Sequence, residues 1–338
     1  MSQPASEAGA KPAPKFDPWF RNGLIRSAIG QALHEAMAVD PLIHLFGEGC
    51  SMKVHFDAPQ IERDFPERVH TCPISEDCNT NFAVGASLLG VKAVVDVITS
   101  DFLYRTADAL ANTAAKLNSV LATGEPPRTM LVRAEFLTAG PTTGARPEAT
   151  FAHIPGINVV VPSTPRDAYA LTHAALKAPG VHLLFEDRMI LDAETKETDK
   201  GPLTDTMPLG YAGLRRKAKN ARLTIVTYGL MRQVVERALD EARVTLPLDL
   251  IDLRSLFPVD WDLLEGSVDK TNNLLVVEPD VEFGGIGAEI VATLAERRHL
   301  AKIRRLGGRR ITLPAASAFH HLGMPTEQEI LEAVNAFA

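Results

Sequence analysis

Glu76 ends the run Thr71-Cys72-Pro73-Ile74-Ser75-Glu76, where a short apolar strand gives way through Pro73 to a helix of small residues. A carboxylate at such a junction can hold a ring nitrogen, and Phe102 further along can stack on the same ring. The same carboxylate also suits an ordinary acidic first turn, because Glu76 and Asp77 complement the positive end of the helix dipole. Phe102 equally suits a core position at the start of an amphipathic helix. Tyr104 is a weaker candidate for the same pocket wall. Glu48, in Phe46-Gly47-Glu48, follows the first apolar strand and is either a loop carboxylate or a second acid of the site. A phosphate cradle is missing. Gly284-Gly285-Ile286-Gly287 precedes a helix, but it has neither the G-x-G-x-x-G spacing nor a Gly-Lys-Ser/Thr end, and it reads as a tight turn serving packing or subunit contact. A chain that holds a ring but not a phosphate needs a partner to complete the site.

The elements that must position these residues alternate along the chain. Apolar residues recur at helical spacing from Leu24 to Val39, Asp40-Pro41 stops the pattern, and an apolar run from 42 to 46 follows. Further strands are expected at 68–71, 91–97, 130–133, 158–161 and 182–185, with helices at 79–89, 101–118 and 166–177. From 187 to 219 the pattern loosens around Pro202 and Pro208. Strands at 223–227, 248–253 and 273–278 then alternate with helices at 231–243, 261–270 and 286–297. A last helix from 326 to 337 opens with Thr326 and early glutamates. Nearly continuous apolar strands separated by helices predict an α/β protein of two domains, each a mostly parallel sheet covered by helices. The expected division is a flexible tail (1–20), a larger domain (21–195), a linker (196–219) and a smaller domain (220–338).

Bulk properties narrow the function classes. A chain of 338 residues is too long for one ordinary core. At 46% hydrophobic and 23% charged it has a globular composition rather than a disordered one. A formal charge of −7 argues against nucleic acid. The pairs Arg304-Arg305 and Arg309-Arg310 around Gly307-Gly308 read as a solvated loop. Three cysteines without a C-x-x-C pair suggest neither a disulfide framework nor a zinc site, and point to a reducing, cytoplasmic setting. No stretch approaches the ~20 apolar residues of a membrane span, and residues 1–18 lack the apolar region of a secretory signal.

Several stretches occur together in one order: Pro73-Ile74-Ser75-Glu76, Ala114-Ala115-Lys116, Pro147-Glu148-Ala149, Phe151-Ala152-His153-Ile154-Pro155-Gly156 and Pro162-Ser163-Thr164-Pro165. Downstream come Thr224-Ile225-Val226-Thr227-Tyr228-Gly229, Ile251-Asp252-Leu253-Arg254-Ser255-Leu256 with Pro258, and the stretch from Gly284 to Glu289. From about Leu24 to the C-terminus the chain resembles the beta subunits of thiamine-diphosphate-dependent 2-oxo acid dehydrogenases of the pyruvate, branched-chain and acetoin type. The resemblance implies a pyrimidine-binding domain and a transketolase-like C-terminal domain. It further implies that Glu76 hydrogen-bonds the aminopyrimidine ring of thiamine diphosphate. A carboxyl group donating to that ring nitrogen favours the imino form that generates the reactive carbanion, and a water-poor pocket around Glu76 would serve this. Phe102 then packs on the ring, and Glu48 is an acid near the subunit interface that links two active sites.

The resemblance also implies an alpha subunit, in a heterotetramer of two alpha and two beta chains. That partner supplies Mg²⁺ and the pyrophosphate site, since no Gly-Asp-Gly element followed by Asn is present here. No metal is expected on this chain: the loop Lys177-Ala178-Pro179-Gly180, where some relatives bind a monovalent cation, has no carboxylate. Thr143 falls where members that acylate a lipoyl-bearing acyltransferase carry a histidine, and a threonine hydroxyl can donate a hydrogen bond but is no acid near neutral pH. His153 precedes a turn. His320 and His321 either line the cleft or sit on a surface loop. Alternatives therefore stay open: a split transketolase-like or acyloin-forming or acyloin-cleaving carboligase with no lipoyl acceptor, or a non-catalytic assembly subunit. The substrate is not named by these residues.

Overall fold

The computed structural model describes residues 24–48, 58–120, 128–137, 142–193, 207–298, 300–313, 316 and 322–338. The first domain comprises α1 (Ile25–Val39), β1 (Ile43–Gly47), α2 (Ala58–Asp64), β2 (Val69–Thr71), α3 (Glu76–Leu88), β3 (Lys92–Thr99), α4 (Leu103–Ala107), α5 (Ala115–Val120), β4 (Thr129–Phe136), α6 (Glu148–Ala152), β5 (Ile157–Val160), α7 (Pro165–Lys177), β6 (Gly180–Asp187) and α8 (Arg188–Leu191). The second comprises β7 (Gly213–Arg216), β8 (Leu223–Thr227), α9 (Gly229–Glu241), β9 (Leu248–Asp252), β10 (Ser255–Phe257), α10 (Trp261–Thr271), β11 (Asn273–Val281), α11 (Ile286–Arg297), β12 (Lys302–Gly308) and α12 (Glu327–Asn335).

Two sheets result, ordered β10-β5-β6-β4-β3-β1-β2 and β12-β11-β8-β9-β7. Every pairing is parallel except β10 on β5 and β7 on β9. Strands with both faces covered by helices have no polar alternation, and β4 and β8 are buried along their whole length. The fold class expected from the sequence is the one observed.

Four local expectations need correction. The expected helix over 101–118 is present as one continuous helical run, but its hydrogen-bond register changes along it: a 3₁₀ turn at Ser100–Phe102, α4, a π-helical stretch at Asp108–Ala114, and α5. Ile98 at a φ of 66° bends the end of β3 and starts this irregular run. Gly213–Arg216, within the expected linker, forms the edge strand β7, whose GLRR sequence has too little apolar periodicity to be read as a strand. Arg304 and Arg305 lie on β12 rather than in a loop, because β12 is an edge strand open to water and carries its charges there. Residues 255–257 leave the second domain to pair with β5 of the first.

That crossing strand helps to fix the domains together. So does a polar seam, in which Asp167 at the start of α7 meets Arg215 and lies 3.0 Å from Arg254, while Ser163 donates to Asp252 at 2.5 Å. Both hydrophobic clusters contain residues of the two sheets, so the apolar layers run across the seam.

Candidate active site

Parallel pairing of β1 with β2 brings Glu48 and Glu76 together. Glu48 leaves the end of β1, and the chain after β2 is pinned to the same strand by a Cys72 N to Gly47 O bond of 2.9 Å. Ser75 caps α3 by position, but its own side chain makes no capping bond. Glu48 takes that role from a distance: its Oε1 accepts from Ser75 N at 2.7 Å and from Asn79 Nδ2 at 3.5 Å. Burial pushes the Glu48 carboxyl above its ordinary range, and the Glu76 charge adds to the rise, while the Ser75 amide opposes it.

Glu76 is the first residue of α3 and only 8% exposed. Its Oε2 lies 3.3 Å from Nε of Arg105, a residue of α4 whose side chain is 64% exposed. Phe102 closes the 3₁₀ turn just before α4 and is half-buried against the core. These residues fit the ring-binding half of a cofactor site: a carboxylate nearly out of water, a neighbouring acid that fixes its helix, and an aromatic on the adjoining turn.

The opposite side of α4 faces different surroundings. Tyr104, 52% exposed, turns toward Phe151 with ring centroids 6.3 Å apart and lines a cavity of about 790 Å³ between the two domains. Thr143 lines it too. Its loop is clamped by the element before α4, since Asp101 accepts from Gly144 N at 3.0 Å and Ala145 N at 2.9 Å, and Ser100 donates to Ala145 O at 2.9 Å. Glu48, Glu76 and Phe102 are not part of this lining. His153 is exposed at the C-terminal end of α6 and does not reach the cavity either. His320 and His321 lie outside the described residues.

Beneath the cavity is a buried ionisable layer that the sequence reading missed. Arg146 donates to Asp187 at 2.7 Å and lies over the Phe136 ring at 4.3 Å. Glu148 is fully buried and accepts from the Tyr228 hydroxyl at 3.2 Å, a contact between the two domains. Burial, and then the charge of Asp280, hold the Glu148 carboxyl well above the ordinary range. Burial also pushes Asp280 up to about 6 and Glu278 up to about 8, the latter opposed by the Gly287 amide. Pro147-Glu148-Ala149 was legible as a motif, but nothing in it signals that the acid is buried. Arg105 carried no sequence signal.

Residues 24–193 match the model of the transketolase pyrimidine binding domain, and residues 210–330 match that of the transketolase C-terminal domain. Among curated relatives, the mitochondrial 2-oxoisovalerate dehydrogenase subunit beta 2 of Arabidopsis thaliana is 31% identical over 320 residues, covering 92% of this chain and 87% of the relative. The pyruvate dehydrogenase E1 component subunit beta of Rickettsia felis is 28% identical, covering 92% and 96%. A solved structure described as a split gene transketolase, inactive beta4 tetramer, superposes with a TM-score of 0.74 at 21% identity, covering 93% of this chain and 97% of that one; at that identity the likeness is one of fold. With both domain models matched in order and a relative above 30% identity over most of both chains, the chain belongs to the transketolase-like family, among the beta subunits of 2-oxo acid dehydrogenases.

Proposed function

We propose that the chain works as the beta half of an alpha–beta complex that decarboxylates a 2-oxo acid and transfers the remaining acyl group. In this reading thiamine diphosphate lies between the subunits, the alpha chain holds Mg²⁺ and pyrophosphate, and the assembly contains two of each chain in the cytoplasm. When bound, the cofactor supplies the nucleophile and electron sink for decarboxylation. One observation carries the reading: a nearly buried Glu76 carboxylate at a helix start, beside the second acid Glu48 and in contact with α4, the helix that Phe102 precedes. Glu76 would hold the ring nitrogen through a hydrogen bond. Glu48 keeps the first turn of α3 in place through Ser75. Phe102 supplies the apolar wall.

Thr143 supports a second reading with the same cofactor. It stands at the cavity edge where lipoyl-acylating relatives carry a histidine, and its hydroxyl cannot deliver a proton near pH 7. An acyloin-forming carboligase needs no lipoyl acceptor. The test is to co-express the chain with its partner and compare wild type with Glu76→Gln for release of CO₂ from 2-oxo acids, offering a lipoyl domain or a free aldehyde as acceptor. Loss of turnover in Glu76→Gln with retained assembly is expected. A variant with wild-type turnover refutes the assignment, and the preferred acceptor separates the two readings.

A further inference from the structure

The interdomain cavity has a charge balance that points to a ligand. Its acids are engaged by hydrogen bonds, and Asp187 also by a cation. Asp101 is taken by the Gly144 and Ala145 amides, and Asp187 by Arg146 and the Met189 amide at 3.2 Å. Asp280 is nearly buried and accepts from Val281 N at 2.6 Å and from the Ala149 amide. Its cations at the lip are not compensated in the same way. Arg309, on the segment after β12, is 67% exposed, and among the described residues its carboxylate neighbour is Glu329, whose Oε1 lies 3.7 Å away. The other oxygen, Oε2, accepts from the backbone and hydroxyl of Thr326 at 2.9 Å each, as the capping box of α12, so Arg309 meets the remaining oxygen in a long, largely exposed pair. Arg310 lies over the Phe283 ring at 5.6 Å, and among the described residues no carboxylate pairs with it.

The wall carries apolar and aromatic residues among polar ones. Phe283 is 80% exposed, and Tyr104 and Met324 face the same space, so three large apolar side chains gather at one side of the cavity. Two guanidinium groups at the rim, with these side chains on the wall, make an amphipathic receptacle. Its volume of about 790 Å³ is that of a small-molecule site.

We infer that the interdomain cavity binds a small organic anion, with the phosphate, sulfonate or carboxylate end held by Arg309 and Arg310 and an apolar body packed on Phe283 and Tyr104. The planar guanidinium fork suits an oxyanion and also stacks on aromatic rings, as Arg310 does on Phe283. Neither Glu76 nor Phe102 lines the cavity, whereas Tyr104 and Thr143 do, so the inference rests on the proposed function only through the Thr143 side. Its occupant meets the Thr143 loop directly.

The full chain can be titrated calorimetrically with benzenesulfonate, whose charge is fixed, and with inorganic sulfate and phenol as the charged and apolar halves of the same probe. Saturable benzenesulfonate binding, tighter than either half, is expected. The double variant Arg309→Gln/Arg310→Gln, which changes only exposed side chains, should weaken it by at least about tenfold, since charge-assisted bonds to two guanidinium groups are lost. Arg304→Gln, a basic residue of β12 outside the cavity lining, should leave it unchanged. Phe283→Ala should weaken benzenesulfonate and leave sulfate as before. No saturable binding, equal binding of phenol, or binding indifferent to the double variant overturns the inference.

Discussion

Glu278 gives the sharpest quantitative test of the buried acid layer. It lies on β11, and its Oε2 accepts from Gly287 N at 2.9 Å, while its Oε1 has no hydrogen-bond partner among the described residues. Burial raises its carboxyl from an ordinary 4.5 to about 8. In the unfolded chain the acid ionises above its ordinary value, whereas in the folded chain it keeps its proton until about pH 8. The folded state therefore binds the extra proton between those limits, and stability falls as pH rises through that window, levelling off above it. At ~1.4 kcal/mol per pH unit, the span from 4.5 to pH 7 costs about 3 kcal/mol. Glu278→Gln removes this cost without changing shape, since the amide oxygen can accept from Gly287 N and the NH₂ stands where the carboxyl proton stood. Urea unfolding of both proteins at pH 5, 6, 7 and 8 isolates the term, because the raised carboxyls of Glu148 and Asp280 are common to both. The variant should gain on the wild type steadily with pH, by about 2.5 kcal/mol between pH 5 and pH 7. A difference independent of pH would mean that Glu278 ionises in the folded chain as readily as in the unfolded one, and would refute the reasoning.

Gly287→Ala would place a Cβ 2.6 Å from Glu278 Oε1 and 2.9 Å from a Val276 methyl, so a loss of about 1–3 kcal/mol in unfolding free energy is expected, and an unshifted melting curve would show that β11 and α11 can separate freely. Arg105→Ala should change stability by less than about 1 kcal/mol, because the guanidinium is largely in water and exposed ion pairs contribute little. The same variant removes a cation that draws the Glu48 carboxyl down, so that carboxyl should titrate at higher pH by carbon-detected NMR; an unmoved Glu48 would place Arg105 outside its field.

The long apolar strands and amphipathic helices were legible because their burial is local and periodic. The strand at 223–227 and the helix at 286–297 coincide with β8 and α11. Elements defined by their partners were not. β10 is a strand only because β5 offers it an edge, and β7 only because β9 does. The change of helical register after residue 100 escaped notice because a π-helical stretch of small residues has no distinct apolar period. At the site, Glu76, Glu48 and Phe102 were nameable from type and order. The bond from Ser75 N to Glu48 depends on the lateral order β3-β1-β2, which periodicity along one strand does not encode. Arg146, Glu148 and Asp280 were missed because a charged residue in sequence reads as a surface residue, and its burial is decided by elements far away in the chain. Arg105 is a surface residue, and its contact with Glu76 comes only from the packing of α4 on α3.

Residues 100–105 divide two kinds of chemistry. Ser100 and Asp101 hold the loop that carries Thr143 at the cavity, Tyr104 lines that cavity, and Arg105 turns the other way to meet Glu76. A regular helix places residues i and i+1 about 100° apart, so consecutive side chains on α4 can serve opposite compartments. This short helix is bounded by a 3₁₀ turn on one side and a π-helical stretch on the other. A displacement of α4 would therefore act on Glu76 through Arg105 and on the Thr143 loop through the adjoining Asp101 at the same time. The ring-binding half-site and the interdomain cavity are separate in their lining but share this one mechanical element.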